Sequence, residues 1–228
     1  MIGRLRKLGI VLTVFGLVFV AAGAFTVFKT NEGARSLQAF SAVQDIRLTY
    51  NEQGQLVDRG ETAEAQAIMA LLTEDWGYPV ASWELDPNDP LVNTPSEYMY
   101  QMATIAYHTL HGTQTVVLPE DVTAADGTVY KAGTYEFPVE GRYWTDFNRA
   151  NPIEAAAREK AWTGTAHALI AELGVGTVTG TALQMGYGMA AAFLGLGLIT
   201  IVAGAGLVWA TRAQDVKVAK LALSPMPA

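Results

Sequence analysis

The chain has no cysteine among its 228 residues. Disulfides, thiolate metal sites, cysteine nucleophiles and a lipoprotein-type lipid anchor are thereby excluded. An extracytoplasmic domain without disulfides is more typical of bacteria than of an animal cell surface. Serine is scarce, limited to Ser36, Ser41, Ser82, Ser96 and Ser224, and none lies in a Gly-x-Ser-x-Gly elbow, so serine-based acyl transfer has no framework. Gly174-x-Gly176 lacks a third glycine, an acidic partner and a preceding strand, and no phosphate loop follows from it. No cofactor is called for by any of these patterns.

Charge is missing from two long stretches, Leu8 to Phe28 and Leu173 to Thr211. The first would form a helix about 31 Å long, which matches a bilayer's hydrocarbon core. In the second, Gly174 to Thr181 is too rich in glycine and threonine to face lipid, so the span is placed at 183–210, with Trp209 as an interfacial anchor. Neither span carries a charge and only Gln184 is strongly polar, so an ion pathway within this chain alone is not expected. The organisation read from the sequence is a cytoplasmic N-terminus at 1–7, a first span at 8–28, an α+β domain at 29–182, a second span at 183–210 and a tail at 211–228.

Arg4, Arg6 and Lys7 precede the first span, and Arg212, Lys217 and Lys220 follow the second. The positive-inside rule then puts both termini in the cytoplasm and the domain outside. The expected location is the plasma membrane, crossed twice. The rival reading is a cleaved signal peptide, with Ala22-Gly-Ala24 as the cleavage pattern. The apolar run continues through Phe25, Val27 and Phe28, longer than a signal core requires, which favours a retained anchor. Between the basic clusters lie nine basic and 21 acidic residues, a net charge of −12. That charge repels phosphate backbones, so nucleic acid is not an expected partner.

Glycine recurs every seven residues in both spans: Gly9, Gly16 and Gly23, then Gly188 and Gly195, and Gly197 and Gly204. Glycine lets helix backbones approach where lipid gives no hydrophobic drive. The spans are expected to pair, or to dock on a partner membrane protein or a second copy of the chain.

The middle of the chain reads as α+β. Ile46, Leu48 and Tyr50 alternate with polar residues before an Asn51–Gly54 turn. Gly60 to Asp75 reads as a helix stopped by Gly77 and Pro79. Thr94-Pro95-Ser96-Glu97 carries a capping box for a helix to His111. Thr113 to Leu118 and Thr128 to Val139 read as strands, with a turn at Ala125–Gly127 and a break at Gly133. Asn151-Pro152-Ile153-Glu154 opens a helix expected to reach Leu173, with the Gly/Thr tract as a linker after it.

Two groups carry candidate chemistry. Glu97, Gln101, Thr104, His108 and His111 share one helical face by their spacing. His108 and His111 would hold a first-row metal jointly, with an acid from elsewhere such as Glu120 or Asp121. The plainer reading is a solvated helix face. Tyr130, Tyr143, Trp144 and Phe147, with Trp76, Tyr78, Trp83, Tyr135 and Phe137, would line a pocket for a sugar or an apolar chain. The plainer reading there is core packing.

Met1-Ile-Gly-Arg-Leu-Arg-Lys-Leu-Gly9, Met99-Tyr-Gln-Met-Ala-Thr-Ile-Ala-Tyr-His-Thr-Leu-His-Gly112 and Gly141-Arg-Tyr-Trp-Thr-Asp-Phe147 resemble a family of two-span actinobacterial membrane proteins of unsettled function. The resemblance covers nearly the whole chain and implies two-span topology and an envelope location. Members sometimes carry the label aromatic ring-opening dioxygenase, a chemistry that uses a two-histidine, one-carboxylate iron site. The resemblance transfers no catalytic residue. The leading expectation is a non-enzymatic accessory or scaffold subunit of a cell-envelope membrane complex. A glycan- or lipid-binding module is the alternative, and a dioxygenase using His108 and His111 comes third.

Overall fold

The computed structural model describes residues 2–222, with side chains through Arg212. Lys217, Lys220 and the end of the expected tail lie outside the described side chains. The chain is mixed helix and strand and divides into two compact units, Met1–Ser36 with Thr181–Ala228, and Leu37–Gly180.

Two helices dominate. α1 spans Ile2–Gln44, so the mixed stretch after Phe28 extends the first helix, helped by a Lys29–Glu32 ion pair at 2.7 Å. The last long helix, α5, spans Gly164–Ala222. Both are long and apolar enough to cross a membrane, and only 11% of the most hydrophobic window of each is buried. The core helix of a water-soluble protein would bury most of that window.

Within the first unit the two helices pack antiparallel along a seam of small residues. Gly9, Gly16, Gly23 and Thr30 are the buried positions of α1 at seven-residue intervals. Ala190, Gly197, Gly204 and Thr211 are their counterparts on α5. A Cβ on Gly16 would stand 2.7 Å from the Gly197 carbonyl oxygen, and one on Gly204 would stand 2.5 Å from that of Gly9. Glycine is required there because the backbones themselves touch. The seven-residue interval is that of left-handed helix pairing. Gly188 and Gly195 are not part of this seam: nothing lies within 4 Å of a Cβ at either position. They share the interval but sit on another face, because seven-residue series offset by two positions point about 160° apart from each other on a helix. Phe19 stacks on Phe193 at 6.2 Å, and Tyr187 donates to Asn31 Oδ1 at 2.8 Å. Thr13, Thr26, Thr200 and Thr211 each donate to the carbonyl four residues back, which satisfies their hydroxyls in an apolar setting.

The second unit is built around α3, Pro95–Leu110. Thr94 caps it, and both halves of the expected capping box are present. No residue of α3 is fully exposed, and Tyr98, Tyr100, Ala103, Ala106 and Leu110 are buried. The solvated face expected along Glu97, Gln101, Thr104, His108 and His111 is corrected at its start, where Glu97 is 1% exposed; Gln101, Thr104 and His108 are half-buried and His111 is exposed. α2, Thr62–Ala70, is continued by a π-helical turn over Leu71–Asp75. That wider turn lets the consecutive Leu71 and Leu72 both reach the core. Gly77, at φ +64°, supplies the left-handed residue that ends the segment. The Ile46–Val57 stretch forms a bent hairpin held by the Tyr50↔Leu56 bridge rather than regular strands.

Strand β1, Thr113–Leu118, pairs antiparallel with β4, Gly133–Pro138, in the register Thr113↔Pro138 to Leu118↔Gly133. Between them β2, Val122–Thr123, and β3, Val129–Tyr130, make a small hairpin turned at Gly127. α4, Pro152–Ala161, covers the β1–β4 pair, with Ala157 and Val116 buried. Asn151 caps α4 by accepting from the N–H groups of Ile153 and Glu154.

The helix expected from Asn151 to Leu173 is broken. Trp162 leaves the helical region at φ −98°, ψ 67°, is 5% exposed, and donates its indole N–H to the Arg142 carbonyl at 3.0 Å. Burying that ring takes the backbone out of the helix. Thr163 then restarts it by accepting from Ala166 N–H. The Gly/Thr tract is also corrected from linker to helix. A Cβ on Gly176 would stand 2.6 Å from the Tyr98 ring, and one on Gly180 3.0 Å from Pro95. The glycines admit α3 against α5, and Ser41 Oγ meets the buried Tyr98 hydroxyl at 2.7 Å.

Candidate functional site

The most unusual polar grouping in the second unit is Asp58, Glu64 and His108, which come from three elements. Asp58 opens a tight turn in which Asp58 N–H donates to Glu61 O and Glu61 N–H to Asp58 O, at 3.1 and 2.8 Å. Arg59 and Gly60 stand at φ +49° and +89°, the two left-handed residues that such a two-residue turn needs. Glu64 lies in the first turn of α2 and His108 in the last turn of α3. Packing of α2 on α3, through Ile68 and Ala103 at 0% exposed, brings the three together.

One ligand-capable atom from each residue lies within 4.8 Å of the others. His108 Nε2 is 2.8 Å from Asp58 Oδ2, yet that oxygen accepts no aligned hydrogen bond. Glu64 Oε2 is likewise buried without a partner. Tyr100 is 3% exposed and its hydroxyl is also unpaired. Burial first, then the Asp58 charge, pushes the Tyr100 hydroxyl well above the ordinary phenol range. Tyr50 is pushed up to about 12 by burial and by Glu97 and Asp86. Both phenols therefore stay neutral donors at any physiological pH.

The structure separates the two histidines paired from the sequence. His111 caps the end of α3, its Nδ1 is 2.9 Å from the Tyr107 carbonyl, and its ring lies 4.2 Å from that of Tyr107. It lines a cavity of about 300 Å³ with Glu74 and Asp75. Asp121, offered as the completing acid, is instead held by Lys131 Nζ at 2.7 Å and Ala132 N–H. Those contacts keep its carboxyl below the usual range. His167 packs edge-on to Trp144 at 5.0 Å.

The aromatic group is divided as well. Phe147 is 5% exposed in a cluster with Leu71, Leu110, Val139 and Trp162, with Trp144 packed against it. Tyr130 belongs to another cluster, around Val116, Leu118 and Ala157. Tyr143 is half-exposed and accepts from Trp76 Nε1 at 2.8 Å. Arg158 lies over the Trp144 ring at 4.0 Å. Trp83 stands apart, 74% exposed, so the group does not converge on one cavity.

Sequence reasoning found His108 but missed Asp58 and Glu64. Neither lies at helical spacing from His108; the one local signal was Asp58-Arg59-Gly60, a turn sequence that fixes an acid beside a helix start. Compared with protein-family models, with curated proteins and with solved structures, the chain gives no match.

Proposed function

We propose that this protein is a two-pass membrane protein whose paired helices hold an acidic α+β domain, residues 29–182, outside the cytoplasm, as a non-enzymatic accessory subunit of a cell-envelope complex. The observation that carries the reading is the glycine seam between two helices whose outer faces are apolar and exposed. The seam makes one anchor of two spans, and the basic residues flanking them, Arg4, Arg6, Lys7 and Arg212, support an orientation with both termini in the cytoplasm. Packing of Phe147, Trp144 and Tyr130 into separate clusters supports a structural use of those aromatics.

The absence of native cysteine makes orientation directly measurable. Glu120→Cys in intact cells is expected to react with a membrane-impermeant maleimide, and Gly3→Cys, where a side chain meets nothing within 4 Å, only after lysis. Labelling of Gly3→Cys in intact cells would reverse the topology. Extraction of the native protein in mild detergent, followed by mass spectrometry, is expected to recover a stoichiometric membrane-protein partner. Recovery of a lone monomer removes the accessory-subunit reading and leaves the anchored domain as a binding module for a glycan or lipid.

A further inference from the structure

We infer that Asp58, Glu64 and His108 form a binding site for one divalent first-row metal ion, of the zinc type. The inference goes beyond the accessory-subunit reading and stands whether or not a partner exists.

Three observations carry it. The first is convergence: three ligand-capable atoms from a turn and two helix ends lie within 4.8 Å of one another. Ligands held about 2.0–2.2 Å from a zinc ion stand roughly 3–4 Å apart, so the set needs only a small adjustment to close on an ion. The second is unspent bonding capacity. Asp58 Oδ2 and Glu64 Oε2 are both buried and accept no hydrogen bond. Buried carboxylate oxygens in that condition are rare unless something else takes their lone pairs. Three protein ligands leave one coordination position open for water. The third is charge. Among the described residues neither carboxylate pairs with a lysine or arginine. Two adjacent carboxylates without a lysine or arginine partner are what a divalent cation would balance.

The donor set selects the metal. Calcium takes six to eight oxygens and has no use for imidazole. One nitrogen and two carboxylates suit zinc, manganese or ferrous iron. The misaligned 2.8 Å approach of Nε2 to Oδ2 is consistent with two ligands directed at a common point rather than at each other.

The test is calorimetric titration of Zn²⁺ into the full-length protein in detergent, purified on a tag without histidines. One equivalent is expected to bind, at least tenfold more weakly in Glu64→Gln and in His108→Ala, and unchanged in His111→Ala. Zn²⁺ is expected to raise the melting temperature of the wild type and not that of Glu64→Gln. Glu64→Gln is close to isosteric, and its melting temperature without metal establishes that it is folded. Equal Zn²⁺ binding by wild type and both variants, or no binding by the wild type, overturns the site. Ca²⁺ binding as tightly as Zn²⁺ overturns the first-row assignment.

Discussion

Gly16→Val is expected to destabilise the paired helices by about 3 kcal/mol, the upper part of the range for overpacking. For a chain of this length that is on the order of 6–12 °C in melting temperature. The magnitude follows from what the new side chain would meet. A Cβ there lies 2.6 Å from Ile201 Cγ1, 2.7 Å from Gly197 O and 2.8 Å from Ile201 N. Two of those three atoms are backbone and cannot rotate away, so the helices must separate along the seam. Gly204→Val is expected to act alike, through Gly9 O, Thr13 Oγ1 and Thr13 N. Gly188→Ala and Gly195→Ala are the controls. They meet nothing within 4 Å, and exchanging glycine for alanine in a helix is favourable by about 1 kcal/mol. Thermal unfolding of the four variants in detergent decides the matter. Equal destabilisation by seam and control substitutions would mean that the two helices do not meet on this face.

The second large effect is expected at Glu97. Its Oε2 accepts from Asn93 N–H at 3.0 Å, Thr94 N–H at 2.9 Å and Thr94 Oγ1 at 2.8 Å, and the residue is 1% exposed. Glu97→Ala strands these donors at the start of the central helix and is expected to cost on the order of 3 kcal/mol. Glu97→Gln keeps an acceptor and should cost less.

The same residue gives the unit a pH dependence. Burial pushes the Glu97 carboxyl above its ordinary value, against the pull of the three donors. A folded-state value above the unfolded one means that the folded state holds the proton more tightly. The stability this contributes is complete below the unfolded value and is lost as pH rises through the raised folded value. Wild type should therefore gain stability relative to Glu97→Gln as pH falls from neutral toward the ordinary carboxyl range. A difference between the two proteins that stays flat over that interval, or grows in the opposite direction, contradicts the burial argument.

Much of this architecture was legible locally. Thr94-Pro95-Ser96-Glu97 announced its helix, because a capping box is satisfied by residues within one turn. Thr113 to Leu118 was readable as a strand, and the break at Gly133 marks the start of β4. The seven-residue glycine interval held for Gly9, Gly16, Gly197 and Gly204, whose backbones meet, but spacing alone gave Gly188 and Gly195 the same weight. Periodicity defines a face without saying what lies across from it.

Where local rules failed, a distant side chain had intervened. The Gly/Thr tract reads as a linker on propensity, yet it is helical, and its glycines stand where Tyr98 and Pro95 occupy the space side chains would have filled. Trp162 ends a helix that the run Arg158-Glu159-Lys160-Ala161 would have continued, its buried indole donating to the Arg142 carbonyl just before Thr163-Gly164. His108 was visible, and its partners were not. Asp58 is 50 residues upstream in a turn and Glu64 opens another helix, and only the packing of α2 on α3 makes them neighbours. The sequence alone determined the two apolar helices, the charge partition and the caps, because each depends on composition or on contacts within a turn. The helix seam, the centre of the second unit and the membership of the Asp58–Glu64–His108 group were decided by tertiary packing, which brings together atoms that no local pattern relates.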